Sequence, residues 1–156
     1  MRIRLATEKD IPQMIENGRT FTALAYPDIP YDPKSFWHDC EAMISEGLCI
    51  VAVDENDVHL GGVGARKSPL FVNEAYVAAM ERFWWVAPEH RSSGVGLRLL
   101  MAIEQAAKDA GCSRLLMLSL VGPDVAKADA IYEKAGYVQV EHVHSKVLRS
   151  WASPVP

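Results

Sequence analysis

Arg91-Ser92-Ser93-Gly94-Val95-Gly96 is the stretch whose residue types and spacing best suit chemistry. It follows the apolar run Phe83-Trp84-Trp85-Val86-Ala87 and opens a segment whose pattern predicts a helix from Gly94 to Ala110. A strand that runs into a small-residue turn and then a helix start aims several backbone N–H groups at one spot. The positive end of the helix dipole lies behind them, and together these favour a phosphate. Gly94 and Gly96 would let the backbone approach an anion without a Cβ in the way, and Arg91 adds a permanent cation at the mouth. The chemistry implied is the binding of a phosphorylated ligand. Glycine turns before helices are common, so the hexapeptide needs its context. A nucleotide P-loop fits less well, because the turn lacks Gly-Lys-Ser/Thr.

The elements that must position this turn can be read from periodicity. Arg2 to Ala6 alternates with period two, as a short half-buried strand does. Thr7 suits an N-cap, and Ile11, Met14 and Ile15 give helical spacing up to Gly18. Phe21 to Pro33 is aromatic and proline-bearing, which predicts an ordered loop. Asp32-Pro33 then starts a second helix carrying Phe36, Trp37, Cys40, Met43 and Ile44, ended by Gly47. Leu48–Val53 reads as a strand and Val58–Arg66 as its hairpin partner across Asn56-Asp57. Tyr76–Val86 reads as a longer strand. After the turn, Leu99, Leu100, Ile103, Ala106, Ala107 and Ala110 share one helix face, and Gly111 ends it. Arg114–Val121 is a continuous apolar run of the doubly buried kind. Asp124 would cap a helix to Ala135, and Tyr137–Leu148 would form a last strand. Trp84–Val86, the helix and Leu115–Leu118 make one parallel crossover unit, and a ligand belongs at the carboxyl ends of its strands, where the turn sits.

The whole chain bounds the answer. Its 156 residues, 49% apolar and 23% charged, fit one ordinary globular domain; we read residues 1–149 as that domain and 150–156 as a loose tail. A formal charge of −4 argues against nucleic acid as a partner. No apolar run approaches the about 18 residues of a membrane span, and the charged, alternating start lacks a signal-peptide core. Cys40, Cys49 and Cys112 are scattered and odd in number, which suits reduced thiols and a cytoplasmic location. No His/Cys/Asp cluster has zinc spacing, so no metal is expected.

Three segments carry a resemblance. Val86-Ala87-Pro88-Glu89-His90-Arg91-Ser92-Ser93-Gly94-Val95-Gly96 is similar to a strand followed by Pro-Glu and Arg/Gln-x-x-Gly-x-Gly/Ala, the cofactor signature of the GNAT family of N-acetyltransferases. Ala128 to Tyr137 resembles the second signature of that family, Ala-x-x-x-Tyr-Glu-Lys-x-Gly-Phe/Tyr, and Ile3 to Asp10 resembles its usual start. The resemblance implies an α/β fold: a single mixed, mostly antiparallel twisted sheet with helices on both faces and a central parallel strand pair. It implies acetyl-CoA as co-substrate and a small-molecule or peptide amine as acceptor. Arg91, Ser92, Ser93, Gly94, Val95 and Gly96 would hold the pyrophosphate. The pantetheine arm would lie where the parallel strands splay past Val86, against the backbone of Trp85 and Val86. A backbone N–H there would meet the oxyanion that develops on attack. The chain departs from the family pattern at Val125, where an Asn often contacts the cofactor, and in its short C-terminal region. That region commonly helps wall the acceptor site, so the site is either open or completed by a second subunit in a homodimer.

An amine acceptor must lose a proton before it attacks a thioester, at a cost of about 4 kcal/mol for a lysine-like amine near neutral pH. Glu81, on the strand leading to the turn, is the leading general base, against the plainer reading of a strand carboxylate paired with Arg82. Tyr132 of the second signature is the general acid for the departing thiolate, against that of a buried core tyrosine. Glu74 and Asp28 are weaker bases. His142 and His144 could share one strand face but lack a third ligand. Trp84 and Trp85 point to opposite sheet faces, one to the core and the other toward the acceptor. Tyr26, Tyr31, Phe36 and Trp37 lie where the family receives acceptors, with core packing as the default. The rival function is a non-catalytic acyl-CoA sensor or interaction module on the same fold.

Overall fold

A computed structural model of the chain describes residues 1–120 and 125–148. Five strands form one sheet in the order β1 to β5. They are β1 (Arg2–Leu5), β2 (Cys49–Val53), β3 (His59–Leu70), β4 (Asn73–Val86) and β5 (Arg114–Leu116). The first four pair antiparallel and β4–β5 is parallel. The helices are α1 (Ile11–Ala25), α2 (Pro33–Ser45), α3 (Val95–Asp109) and α4 (Val125–Lys134). The α/β class, the mixed and mostly antiparallel sheet, its parallel pair and the helices on both faces agree with the expectation.

Every residue of β2 is buried, because helices cover both sides of it. Ile50 and Ala52 meet Leu99, Leu100 and Ile103 of α3 on one face, and Tyr132 of α4 joins this cluster. Cys49, Val51 and Val53 meet Ile11, Met14, Cys40 and Met43 of α1 and α2 on the other. β4 divides in the same way: Trp84 and Val86 face α3, while Phe83 and Trp85 face α1 and α2. A bulge just before this stretch resets the alternation, since Gly64 pairs with Phe83 but Ala65 with Glu81, leaving Arg82 as the extra residue.

Four differences from the sequence reading have identifiable causes. Helix α1 does not stop at Gly18 but continues to Ala25, taking the first part of the expected loop. A Cβ at Gly18 would lie 2.7 Å from the Phe36 ring, so this glycine is a packing residue rather than a stop. The hairpin of β3 and β4 is longer than expected, extending through 67–75 to a tip at Phe71 and Val72. β5 ends at Leu116, and Leu118 and Leu120 are exposed rather than doubly buried. Here the Leu118 peptide leaves the ladder for side chains: its N–H donates to Glu81 Oε2 at 2.8 Å and its carbonyl accepts from Tyr132 Oη at 3.2 Å. Finally, Tyr137–Leu148 is not a strand. Tyr137 packs against Tyr132, but Val138, Val140, Val143 and Val147 are exposed, and alternation cannot make a strand where no edge pairs with it. The expected cap at Asp124, the end of the apolar run at Val121 and the tail at 150–156 lie outside the described residues.

Candidate active site

The turn after β4 is built for an anion. A 3-10 turn at Pro88–His90 leads into Arg91–Gly94, and α3 begins at Val95. Ser92 (φ 71°) and Gly94 (φ 83°) are both left-handed, a conformation that is costly for serine and points to a constrained site. Gly94 offers no side-chain cap, and the first intrahelical donor is Arg98 N–H to the Gly94 carbonyl at 3.2 Å. The N–H groups of Val95, Gly96 and Leu97 precede it and stand at the positive end of the helix. Ser93 Oγ donates to the His90 carbonyl at 2.6 Å and holds the turn, and Arg91 Nε donates to the Val86 carbonyl at 3.2 Å, tying the turn to the strand end.

The two glycines also have roles within the fold. A Cβ on Gly94 would meet nothing within 4 Å, so Gly94 is required by its positive φ rather than by crowding. A Cβ on Gly96 would lie 3.3 Å from Trp84 Cζ2, so Gly96 lets α3 close onto β4. Trp84 in turn stacks on Tyr132 with ring centroids 5.3 Å apart. The helix start, Trp84 and Tyr132 therefore form one layer on the α3 face.

The parallel strands separate earlier than expected. Their last pair is Met80–Leu116, six residues before Val86, so Arg82–Val86 lack a β5 partner on that side. Glu81 sits at the parting point, buried, and receives the Leu118 N–H. Burial pushes its carboxyl up to about 7, and the hydrogen bond from Leu118 works against that rise. Arg82 does not neutralise it, since it points to the other face and donates to Asp39 at 2.9 Å on the α2 side. Burial also raises the Tyr132 phenol well above its ordinary value, and the neighbouring Glu81 adds to the effect. Glu81 and Tyr132 thus converge on one peptide, that of Leu118, from the same face of the sheet.

Across the sheet, Trp85 lines a crevice between α1, α2 and β3 together with Phe21, Phe36 and Phe83. Tyr31 and Phe36 take the packing roles set as their default: Tyr31 Oη donates to the Ile15 carbonyl at 2.8 Å, and Phe36 lies between Tyr31 and Phe83. Tyr26 and Trp37 are exposed, as are Glu74, Asp28, His142 and His144. None of these joins the layer around Tyr132. Among the described residues no group of three or more His, Cys, Asp or Glu could hold a metal ion, and no helix is long and apolar enough to cross a membrane.

One buried polar network escaped the sequence reading. Asp10 accepts from Arg4 Nη1 (2.8 Å) and Nη2 (2.9 Å), from Thr7 N–H (2.8 Å) and Oγ (3.0 Å), and pairs with His59 Nε2 (3.1 Å). Burial alone would raise its carboxyl, but these bonds hold it far below the usual carboxylate range. Thr7 signalled a helix start; nothing in the spacing linked Asp10 to His59, 49 residues on.

The geometry agrees with the comparisons. The model of the acetyltransferase (GNAT) family matches residues 14–137. An aminoglycoside N(6')-acetyltransferase type 1 from Stenotrophomonas maltophilia is 30% identical over 101 residues, covering 64% of this chain and 65% of that relative's length. The solved structure of a probable acetyltransferase superposes with a TM-score of 0.72 at 22% identity, covering 98% of this chain and all of the other. That of AAC(6')-Iy in complex with a bisubstrate analogue, CoA-S-monomethyl-acetylneamine, gives a TM-score of 0.69 at 18% identity, covering 95% and 97%. Both structures share the fold. With the family model matched over most of its length, the chain belongs to the GNAT family of acetyltransferases.

Proposed function

We propose that this protein transfers an acetyl group from acetyl-CoA to a primary amine by direct attack, in the cytoplasm. The observation that carries the reading is the parting of β4 and β5 beside an open helix start. That arrangement fits the two ends of a CoA: a strand edge free from Arg82 to Val86 for the pantetheine arm, and the Arg91–Gly96 turn for the pyrophosphate. Acetyl-CoA brings an acyl group on a thioester already activated toward amines.

The chain's own residues do the rest. Backbone N–H groups at the start of α3, those of Val95 and Gly96 among them, and the α3 dipole bind the phosphates, with the Arg91 guanidinium bracing the turn. The free backbone at Trp85 and Val86 aligns the thioester, and an N–H there stabilises the developing oxyanion. Glu81, raised toward neutrality, takes the ammonium proton directly or across one water. As the C–N bond forms and the C–S bond breaks, Tyr132 gives its proton to the departing thiolate and recovers one from the second N–H proton that the nitrogen sheds on becoming an amide. Its raised pKa keeps the phenol protonated in the resting protein, with its O–H available to hydrogen-bond the departing sulfur.

The test is release of free CoA thiol when acetyl-CoA is mixed with each member of an amine panel. Release with an amine, beyond slow hydrolysis, is expected; a protein that binds CoA tightly yet releases none with any amine would be a sensor instead. Tyr132→Phe lowers kcat by about tenfold or more, the lower range of general acid catalysis, with the Kd for CoA unchanged. An unaltered kcat removes Tyr132 from the mechanism.

A further inference from the structure

The segment after β5 borders the candidate site, yet backbone pairing does not hold it. Among the described residues, 117–120 make no backbone–backbone hydrogen bond, because the ladder with β4 ends at Leu116. Met117 packs toward the α3 cluster, but Leu118 and Leu120 are exposed and bury little. Three side chains supply polar contacts in place of the ladder. Glu81 accepts the Leu118 N–H, Tyr132 donates to the Leu118 carbonyl, and Asp129 Oδ1 accepts from Ser119 Oγ.

Two of the three come from α4. Asp129 and Tyr132 stand three residues apart on that helix, so both lie on the face turned toward Leu118 and Ser119. A stretch with no ladder and few buried apolar contacts opens easily unless such bonds restrain it. In the second family signature Asp129 falls at a position for which the pattern names no residue. The resemblance therefore gives it no role.

The reaction makes a conflicting demand on Tyr132. A phenol has one hydrogen to give, and in the resting protein Tyr132 gives it to the Leu118 carbonyl at 3.2 Å. To meet the departing sulfur, the hydroxyl must leave that carbonyl. Asp129 then still ties α4 to the segment through Ser119. If the segment drifted instead, the Leu118 N–H would leave Glu81, and the base would lose the group that fixes it at the parting of β4 and β5.

We propose that Asp129 is a positioning residue: through Ser119 it keeps the segment after β5 docked on α4 while the Tyr132 hydroxyl leaves Leu118 for the sulfur. It acts through Tyr132 and Glu81 and takes no proton itself. The inference rests on the acetyltransferase reading, which it extends to a residue outside the reacting groups.

Tyr132→Phe removes the hydroxyl and so reproduces the state in which it has left the carbonyl. In that background Asp129→Ala should speed amide exchange at Leu118, read by NMR on the full chain, by about tenfold. A change of less than threefold overturns the proposal without any use of turnover. The second measurement is kinetic, with acetyl-CoA and the fastest amine of the panel. Asp129→Ala and Ser119→Ala each lower kcat by about fivefold or more, while the Kd for CoA stays within about twofold. Asp129→Asn keeps an oxygen that accepts from Ser119 and holds kcat within about twofold of wild type, although the charge is gone. If Asp129→Asn falls as far as Asp129→Ala, the reaction uses the charge of the carboxylate and the docking role is refuted. A kcat indifferent to Asp129→Ala and Ser119→Ala refutes it equally and leaves the enzyme standing. Exchange that follows Asp129 in a protein releasing no CoA with any amine would keep the docking but overturn the acetyltransferase reading, and with it any part for Asp129 in a reaction.

Discussion

Gly94→Glu is expected to weaken acetyl-CoA binding by about a hundredfold or more, a loss of some 3 kcal/mol, in a chain that still folds. Folding survives because a Cβ at this position meets open space. The cost to the apo protein is the left-handed φ of 83°, on the order of 1–2 kcal/mol for a residue with a side chain. Binding suffers far more. The new carboxylate sits at the N-terminus of α3, where it engages the same N–H groups and the same helix dipole that a pyrophosphate needs. It then repels the ligand's own negative charge at close range. Gly94→Asn separates the two effects, since asparagine tolerates the left-handed region and is neutral. It should keep affinity within about tenfold. Titration calorimetry with acetyl-CoA, beside circular dichroism as a control for folding, measures both. A Kd for Gly94→Glu within threefold of wild type would place the pyrophosphate elsewhere.

Much of this arrangement is legible in the residues themselves. The turn and α3 are local: small residues, a run of apolar positions at helical spacing and a glycine stop all lie within one window. The opposite directions of Trp84 and Trp85 follow from strand alternation alone. Harder to read were features set by distant partners. Gly18 looks like a stop until Phe36, from another helix, is found lying against it. Arg114–Val121 looks like one buried strand, yet it ends at Leu116 because Glu81 and Tyr132 capture the next free peptide. Glu81 and Arg82 are neighbours on opposite faces of β4, and the bulge opposite Gly64–Ala65 puts Phe83 on the face of Arg82 instead of that of Glu81. The His59–Asp10 pair depends on β3 lying beside the start of α1, which local spacing does not encode. The C-terminal segment shows the converse limit, because Tyr137–Leu148 has the composition of a strand without a neighbour to pair with.

Glu81→Gln should stabilise the protein at pH 8 while removing most of its activity. Burial raises the carboxyl from 4.5 to about 7 in the folded chain, so the folded state keeps its proton where the unfolded state has lost it. Folding is therefore favoured most below about pH 4.5, and stability falls as pH rises toward 7, by about 3 kcal/mol in all, and then levels off. A glutamine is neutral throughout and still accepts the Leu118 N–H through its amide oxygen, so the slope disappears and the Tm at pH 8 rises by several degrees. The same substitution removes the base. It should lower kcat by about a hundredfold or more and flatten the limb of the wild-type pH profile that climbs through neutrality. Thermal unfolding from pH 4 to 9, paired with kcat over the same range, distinguishes the alternatives. If stability rises but kcat is untouched, Glu81 only spans the gap between β4 and β5, and the amine proton leaves by another route. If kcat falls and the Tm falls with it, the carboxylate itself holds the Leu118 peptide, and the loss of activity reports a collapsed opening instead of a missing base. Only higher stability together with lost turnover assigns proton transfer to Glu81, because it shows one buried carboxyl held at a cost to the fold and used in the reaction.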